Sequence, residues 1–171
     1  MVKKINGVTG VGTKPHKGGF TLIEILVVVA IISILASVVL VGLGPTQRIG
    51  RDARRISDLR QVQNGLELYF NKCGYYPGTV QAGATCVAYV GIAVNDWAAL
   101  TSSLKDSVIG IVNVPDDPTG GVHYFYGAAA GGTGYVLGAT LENVSNPVLN
   151  QSVHGMVNGV NCASPVYCIQ F

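Results

Sequence analysis

The chain has 171 residues, 49% of them hydrophobic and only 12% charged, which excludes an intrinsically disordered protein. Its net charge of +2 is too small to make a nucleic acid an obligatory partner. With an N-terminal leader and one membrane segment set aside, about 100 to 125 residues remain, enough for a single soluble β-rich or α+β domain.

Residues 1–19 read as a leader, carrying Lys3, Lys4, Lys14 and Lys17 and no acidic residue. The stretch from Gly7 to Lys14 superficially resembles a phosphate-binding loop. Its final pair is inverted relative to Gly-Lys-Ser/Thr, and no strand or soluble helix flanks it, so it is leader sequence. Residues 20–43 form an apolar run in which Glu24 is the only charge. As a helix this run would extend about 36 Å at 1.5 Å per residue, against a hydrocarbon core of about 30 Å. A carboxylate at the centre of such a span costs about 2.5–3.5 kcal/mol on insertion scales, so even near one end an intramembrane acid needs a reason. Small residues at a hydrophobic boundary are where processing enzymes cut, which marks Gly18-Gly19 before Phe20.

Gly42-Leu43-Gly44-Pro45 is expected to interrupt the helix, because glycine loosens it and an internal proline removes a hydrogen bond. The helical pattern resumes with Ile49, Ala53, Ile56, Leu59, Val62, Leu66, Tyr69 and Phe70, an amphipathic segment assigned to residues 44–72. Its apolar stripe must pack on something, and a following sheet is the obvious candidate. Gly74-Tyr75-Tyr76-Pro77-Gly78 stops the helix. Asp96 is a plausible N-cap for a short helix through Trp97, Leu100 and Leu104. Val108 to Val114 is apolar and is expected to be extended, ending in the turn cluster Pro115 to Gly121. Val122–Tyr126 and Tyr135–Leu141 are predicted strands joined by a Gly/Ala-rich loop, and the tail from Glu142 onward is expected to be loop-like.

Cys73, Cys86, Cys162 and Cys168 all come after the membrane segment, an even count that suggests oxidation outside the cytoplasm into two disulfides. All three connectivities are open, and proximity in sequence favours Cys73–Cys86 and Cys162–Cys168. Zinc is the competing use, with neither Cys-x-x-Cys nor a nearby His pair in support. The positive-inside rule does not settle topology, because Arg48, Arg51, Arg54, Arg55 and Arg60 come after the span as the lysines come before it. The cysteines, together with the cut site before Phe20, lead to the expectation that the C-terminal domain lies outside. Those arginines could meet DNA phosphates, but interleaved with Asp52 and Asp58 they suit i to i+4 pairs or bridges between subunits better, and no nucleic acid is expected. Tyr75, Tyr76, Tyr124, Tyr126 and Tyr135 read as packing between helix and sheet. His123 and His154 are isolated and no Gly-x-Ser-x-Gly occurs, so no catalytic residues, no cofactor and no enzymatic activity are expected.

Lys17-Gly18-Gly19-Phe20-Thr21-Leu22-Ile23-Glu24 closely resembles the type III signal of prepilins, the precursors of type IV pilus and type II secretion pseudopilus subunits. Further along, Asp52-Ala53-Arg54-Arg55, Asp58-Leu59, Leu68-Tyr69-Phe70, Gly74-Tyr75-Tyr76-Pro77, Pro115-Asp116-Asp117-Pro118, Tyr124-Phe125-Tyr126 and Gly134-Tyr135-Val136-Leu137 look like the helix, helix exit and sheet motifs of major pseudopilins. The match runs in order from Lys17 to Glu142, and the tail beyond it fits no family pattern. The resemblance implies an α+β, type IV pilin-like fold: a long N-terminal helix, membrane-spanning in its first half, packed on a small antiparallel β-sheet. It implies a leader over 1–19 removed by prepilin peptidase between Gly19 and Phe20, and N-methylation of Phe20. It further implies an assembly helix over 20–43 continued by 44–72, and an extracytoplasmic domain over 73–171 with a cysteine-closed tail.

By the same resemblance, Glu24 pairs with the Phe20 amine of a neighbouring subunit and sets the register of a helical homo-oligomeric filament. The implied partners are the peptidase, an inner-membrane assembly platform and membrane lipid. The implied location is a single-pass inner-membrane protein with a cytoplasmic N-terminus, later a periplasmic or cell-surface filament. Because major pseudopilins hold calcium near the sheet, Asp116 and Asp117 carry a weak metal possibility. Glu142 is the only later acid, so turn formation is the better use of both. Pilus and secretion pseudopilus both remain open, since the sheet motifs lean toward the second and the missing acidic loop toward the first. The alternative from another class is a single-pass anchored binding domain or enzyme that never polymerises.

Overall fold

The computed structural model describes residues 19–78, 86, 94–105 and 109–171, with the backbone alone at 40–43. The first element, α1, is a helix over Leu22–Cys73, 52 residues long. It does not break at the predicted interruption: Pro45 lies inside it. A proline takes away one backbone donor but already has a helical φ, so helix secured on both sides can carry a single missing link.

The chain divides into two compact units, residues 1–42 and 43–171. In the first, the window Leu22–Val39 has a mean hydropathy of 3.0, and none of it is buried within the chain. It is long and apolar enough to cross a membrane.

In the second unit α1 buries Leu59, Val62, Leu66 and Tyr69, recurring at helical spacing. They join one core with α2 (Trp97–Lys105) and with a three-stranded antiparallel sheet. The Asp96 carboxylate caps α2 by accepting the Ala99 N–H at 2.9 Å, and Trp97 sits edge-on to Tyr124 with ring centroids 5.4 Å apart.

The sheet contains β1 (Phe125–Ala128), β2 (Tyr135–Thr140) and, after a two-stranded ribbon of β3 (Met156–Val157) and β4 (Val160–Asn161), β5 (Val166–Gln170). Its order is β1-β2-β5, with Tyr126 opposite Leu137 and Gly138 opposite Cys168. The central strand β2 is covered on both faces. Tyr135, Leu137 and Ala139 belong to the main core, whereas Val136 belongs to a second cluster with Val160, Cys162 and Cys168. That two-sided burial explains why β2 reads as an almost unbroken apolar run. Asn158-Gly159 turns the ribbon with positive φ at both residues (46° and 82°), and the ribbon presses on β1 at Gly127. A Cβ at Gly127 would lie 2.3 Å from the Asn158 carbonyl oxygen, so no larger residue fits there.

Two further expectations need correcting. The first strand begins at Phe125 rather than Val122; just before it the Tyr124 hydroxyl donates to Asp58 of α1 and the Val122 N–H closes a turn onto the Thr119 carbonyl. Residues 109–114, expected to be extended, join no strand ladder among the described residues, and Val108 lies outside them. The tail is not loop: it supplies β3, β4 and β5, and β5 closes the free edge of β2. A five-residue strand paired to a partner far away in sequence carries little local signal, and β2 needed a second neighbour. Disulfides join Cys73 to Cys86 and Cys162 to Cys168.

Removing the second cross-link with Cys162→Ala and Cys168→Ala together should cost about 2 kcal/mol from loop entropy alone, and more from the buried sulfurs. The check is a lowered urea midpoint for the detergent-solubilised chain, with β5 amides losing hydrogen-exchange protection first.

Candidate functional site

Gly19 and Phe20 precede the helix and are exposed, Phe20 by 84%. Nothing lies within 4 Å of a Cβ built at Gly19, so the Gly19–Phe20 peptide is open to an approaching enzyme. Thr21 then caps α1. The Glu24 N–H donates to Thr21 Oγ1 at 3.3 Å, while the Thr21 N–H and hydroxyl donate back to Glu24 Oε2 at 2.8 and 2.7 Å. This is a capping box, in which Thr and a Glu three residues on satisfy each other's orphan donors. Its Thr-x-x-Glu signature was present in the sequence and points to Thr21, a residue that charge patterning alone overlooks. In the single chain the Glu24 carboxylate therefore accepts two neutral donors.

Further along α1 the arginines separate into two groups. Arg55 is only 3% exposed and forms the centre of a polar cluster. It donates from Nε to Asp117 Oδ2 at 2.7 Å, from Nη1 to Asp52 Oδ1 at 2.8 Å and to Glu142 Oε1 at 2.9 Å. Its Nη2 reaches Asp117 Oδ1 at 3.1 Å and the Thr119 hydroxyl at 2.9 Å. Arg51 grips Glu142 with two parallel bonds of 2.6 and 2.5 Å, the bidentate geometry that suits a guanidinium. Asp52 completes the cluster by accepting the Glu142 and Asn143 N–H groups, both at 2.9 Å. Arg54 makes only a loose pair with Asp58 at 3.6 Å and is 63% exposed.

Asp116 and Asp117, the weak metal candidates, are both engaged in this region. Asp117 spends both oxygens on Arg55, and Asp116 accepts the Asp117 N–H at 2.9 Å and lies 2.7 Å from His123 Nδ1. Among the described residues no group of three or more His, Cys, Asp or Glu is placed to hold a metal ion.

The electrostatics stem from these contacts. The bonds from Arg51, reinforced by those from Arg55, outweigh partial burial and hold the Glu142 carboxyl down at about 2. Burial pushes the Asp117 carboxyl upward, but Arg55 and the Thr119 N–H more than offset it and keep it below the usual range. The tyrosines are buried and move the other way. Tyr124, which donates to Asp58 at 2.8 Å, is raised by burial and by that carboxylate. Tyr76, which shares Glu67 with Tyr135, is pushed up to about 12 by burial and then by Glu67.

Carboxylates with depressed folded values stabilise above their unfolded range and lose that contribution as pH falls through the folded value. The chain should therefore weaken between about pH 4.5 and pH 2, and Glu142→Gln should flatten that limb of the denaturant-midpoint curve. Arg55→Met should cost about 3–5 kcal/mol at neutral pH by leaving Asp52 and Asp117 buried without their cation.

Residues 14–40 match the prokaryotic N-terminal methylation motif. The chain is 35% identical over 68 residues to the type II secretion system core protein G of Aeromonas hydrophila, covering 40% of this chain and 48% of that protein. It is 38% identical over 63 residues to the protein of the same name from Escherichia coli strain K12, covering 37% and 43%. The chain thus spans about half the length of the curated relatives it matches. No solved structure matches it significantly. A methylation motif on one exposed apolar helix fits a single-pass membrane-anchored protein, and the likeness of this one is to type II secretion system core proteins G.

Proposed function

We propose that the chain is a structural subunit of a type IV filament, of the secretion pseudopilus kind to which its relatives point. A membrane peptidase cuts between Gly19 and Phe20, Phe20 is N-methylated, and the subunits polymerise through the apolar helix, with residues 73–171 outside the cytoplasm. The observation that carries this reading is the helix itself: an 18-residue window of mean hydropathy 3.0, unburied among the described residues, that holds one carboxylate and follows a cut-accessible glycine. Such a surface is stable in lipid or against other helices like itself, and in neither case in water.

Glu24 gives the transfer between those two environments a direction. In the single chain it accepts only from Thr21 among the described residues. The Phe20 amine of a neighbour would offer a full positive charge in a low-dielectric setting, where a charge-assisted bond is about twice as strong as a neutral one. The pairing also fixes the stagger between adjacent helices. No catalytic role is proposed: the clustered ionisable groups of the domain are engaged in holding its loops to α1.

Glu24→Val separates a filament subunit from an anchored domain that never polymerises. The variant should be cut, should stay in the membrane with its domain folded, and should yield no filaments by electron microscopy. Wild-type filaments with that variant, or an intact mass that retains Met1 to Gly19 or lacks the added methyl group, would contradict the proposal.

A further inference from the structure

The far side of α1 carries a seam that packing within the chain does not use. Leu59, Val62, Leu66 and Tyr69 face the core. Nearly opposite them, Ala53, Ser57, Arg60, Asn64, Glu67 and Asn71 recur at alternate spacings of four and three, which draws one narrow stripe along a helix. All are exposed except Glu67, which is half-buried. Arg60 makes no hydrogen bond or ion pair among the described residues. Glu67 lacks the opposite charge. It accepts from the Tyr76 hydroxyl at 3.1 Å and from the Tyr135 hydroxyl at 3.2 Å, and no cation among the described residues pairs with it. Two hydroxyl hydrogens do not fill the roughly four lone-pair sites of a carboxylate, so Glu67 can accept from outside the chain as well.

The register of these two charges names the partner. Arg60 and Glu67 are one heptad apart, which returns them to the same face within about 20° and separates them by about 10.5 Å along the axis. Every other cation of α1 lies about 100° or more round the helix from Glu67. A second copy of the chain, laid parallel and displaced by one heptad, therefore brings its Arg60 beside the Glu67 of the first. The seam is complementary to a shifted copy of itself, and the small or neutral residues at 53, 57, 64 and 71 bring no competing charge. Such a contact does not close. Each pair of copies leaves one Arg60 and one Glu67 unused at opposite ends, the heterologous geometry that builds open filaments.

We propose that this seam docks a second copy of the chain, through an ion pair between Arg60 of one copy and Glu67 of the other. An exposed pair adds little cohesion, but an unshifted alignment would set Arg60 against Arg60 and Glu67 against Glu67, which is strongly disfavoured. The pair therefore selects the stagger. This inference rests on the filament reading and deepens it, because the helix of the folded domain then takes part in fixing the register.

Filaments of the full chain, formed in cells that supply a peptidase and an assembly platform, test this by charge reversal. Arg60→Glu and, separately, Glu67→Arg should each lower filament yield about tenfold or more by electron microscopy, since like charges then meet at every contact. The double reversal should restore it. In filaments of the Arg60→Lys variant, which keeps the charge at an exposed position, a zero-length carbodiimide should give a covalent dimer whose linked peptides join position 60 to Glu67. Arg60→Glu and the cross-link decide the matter by themselves if Glu67→Arg unfolds the domain, read as lost hydrogen-exchange protection of β2. Undiminished filaments with Arg60→Glu overturn the pairing, and so does a dimer without that linked peptide. A wild-type chain that is cut and methylated yet forms no filaments overturns the filament reading itself, and the pairing with it.

Discussion

An 18-residue helical segment, fifteen residues of it apolar and none of it buried by the described part of the chain, is the constraint on which the rest of this protein depends. Among the described residues nothing buries a side chain from Leu22 to Val39, so that surface must find lipid or other helices. The helix is built for such surroundings. Its backbone groups are satisfied internally, and the Ser33 and Ser37 hydroxyls return to the Val29 and Ile34 carbonyls at 2.8 and 2.7 Å. Glu24 closes on Thr21 in the same way. Every polar side chain of the span has a partner in its own helix. The isolated subunit can therefore rest in a membrane, and in the proposed filament only the Glu24 bond has to be exchanged.

Past the span the same helix takes on a different task. Between Asp52 and Glu67 four of its polar residues tie parts of the domain to it. Asp52 holds the backbone at 142–143, Arg55 holds Asp117, Thr119 and Glu142, Asp58 holds Tyr124, and Glu67 holds Tyr76 and Tyr135. Irregular segments have no ladder to satisfy their polar groups, so these side chains do it for them. Buried ion pairs are expensive and weak as a source of net stability. What they supply here is a single placement of the loops on one helix, while the apolar stripe beneath supplies the cohesion.

How much was legible differs from element to element. The membrane run, the amphipathic helix and the Asp96-capped α2 are local, each set by spacing within one segment, and they appear where periodicity puts them. At Pro45 a local rule lost to the helix around it. The tail failed for the opposite reason. Val166–Gln170 is short and preceded by Gly-, Asn- and Ser-containing loops, and it becomes a strand only because β2 offers an edge. Arg55 was visible as one of five arginines on a mixed-charge helix. Nothing in its spacing distinguishes it from Arg54, because the difference is which side of the helix the 117 and 142 loops come to lie on.

By itself the sequence determined the long apolar helix, the small residues before it, the lone carboxylate near its start and the α+β character of the domain beyond it. Those features rest on composition and on periods of a few residues. Tertiary structure alone decided that the tail completes the sheet, that one arginine is buried among three carboxylates, and that Glu67 meets two tyrosines and no cation among the described residues. Each of these joins residues tens of positions apart or depends on what such contacts leave uncovered. Contacts at that range are chosen by burial in the folded chain rather than by any local preference.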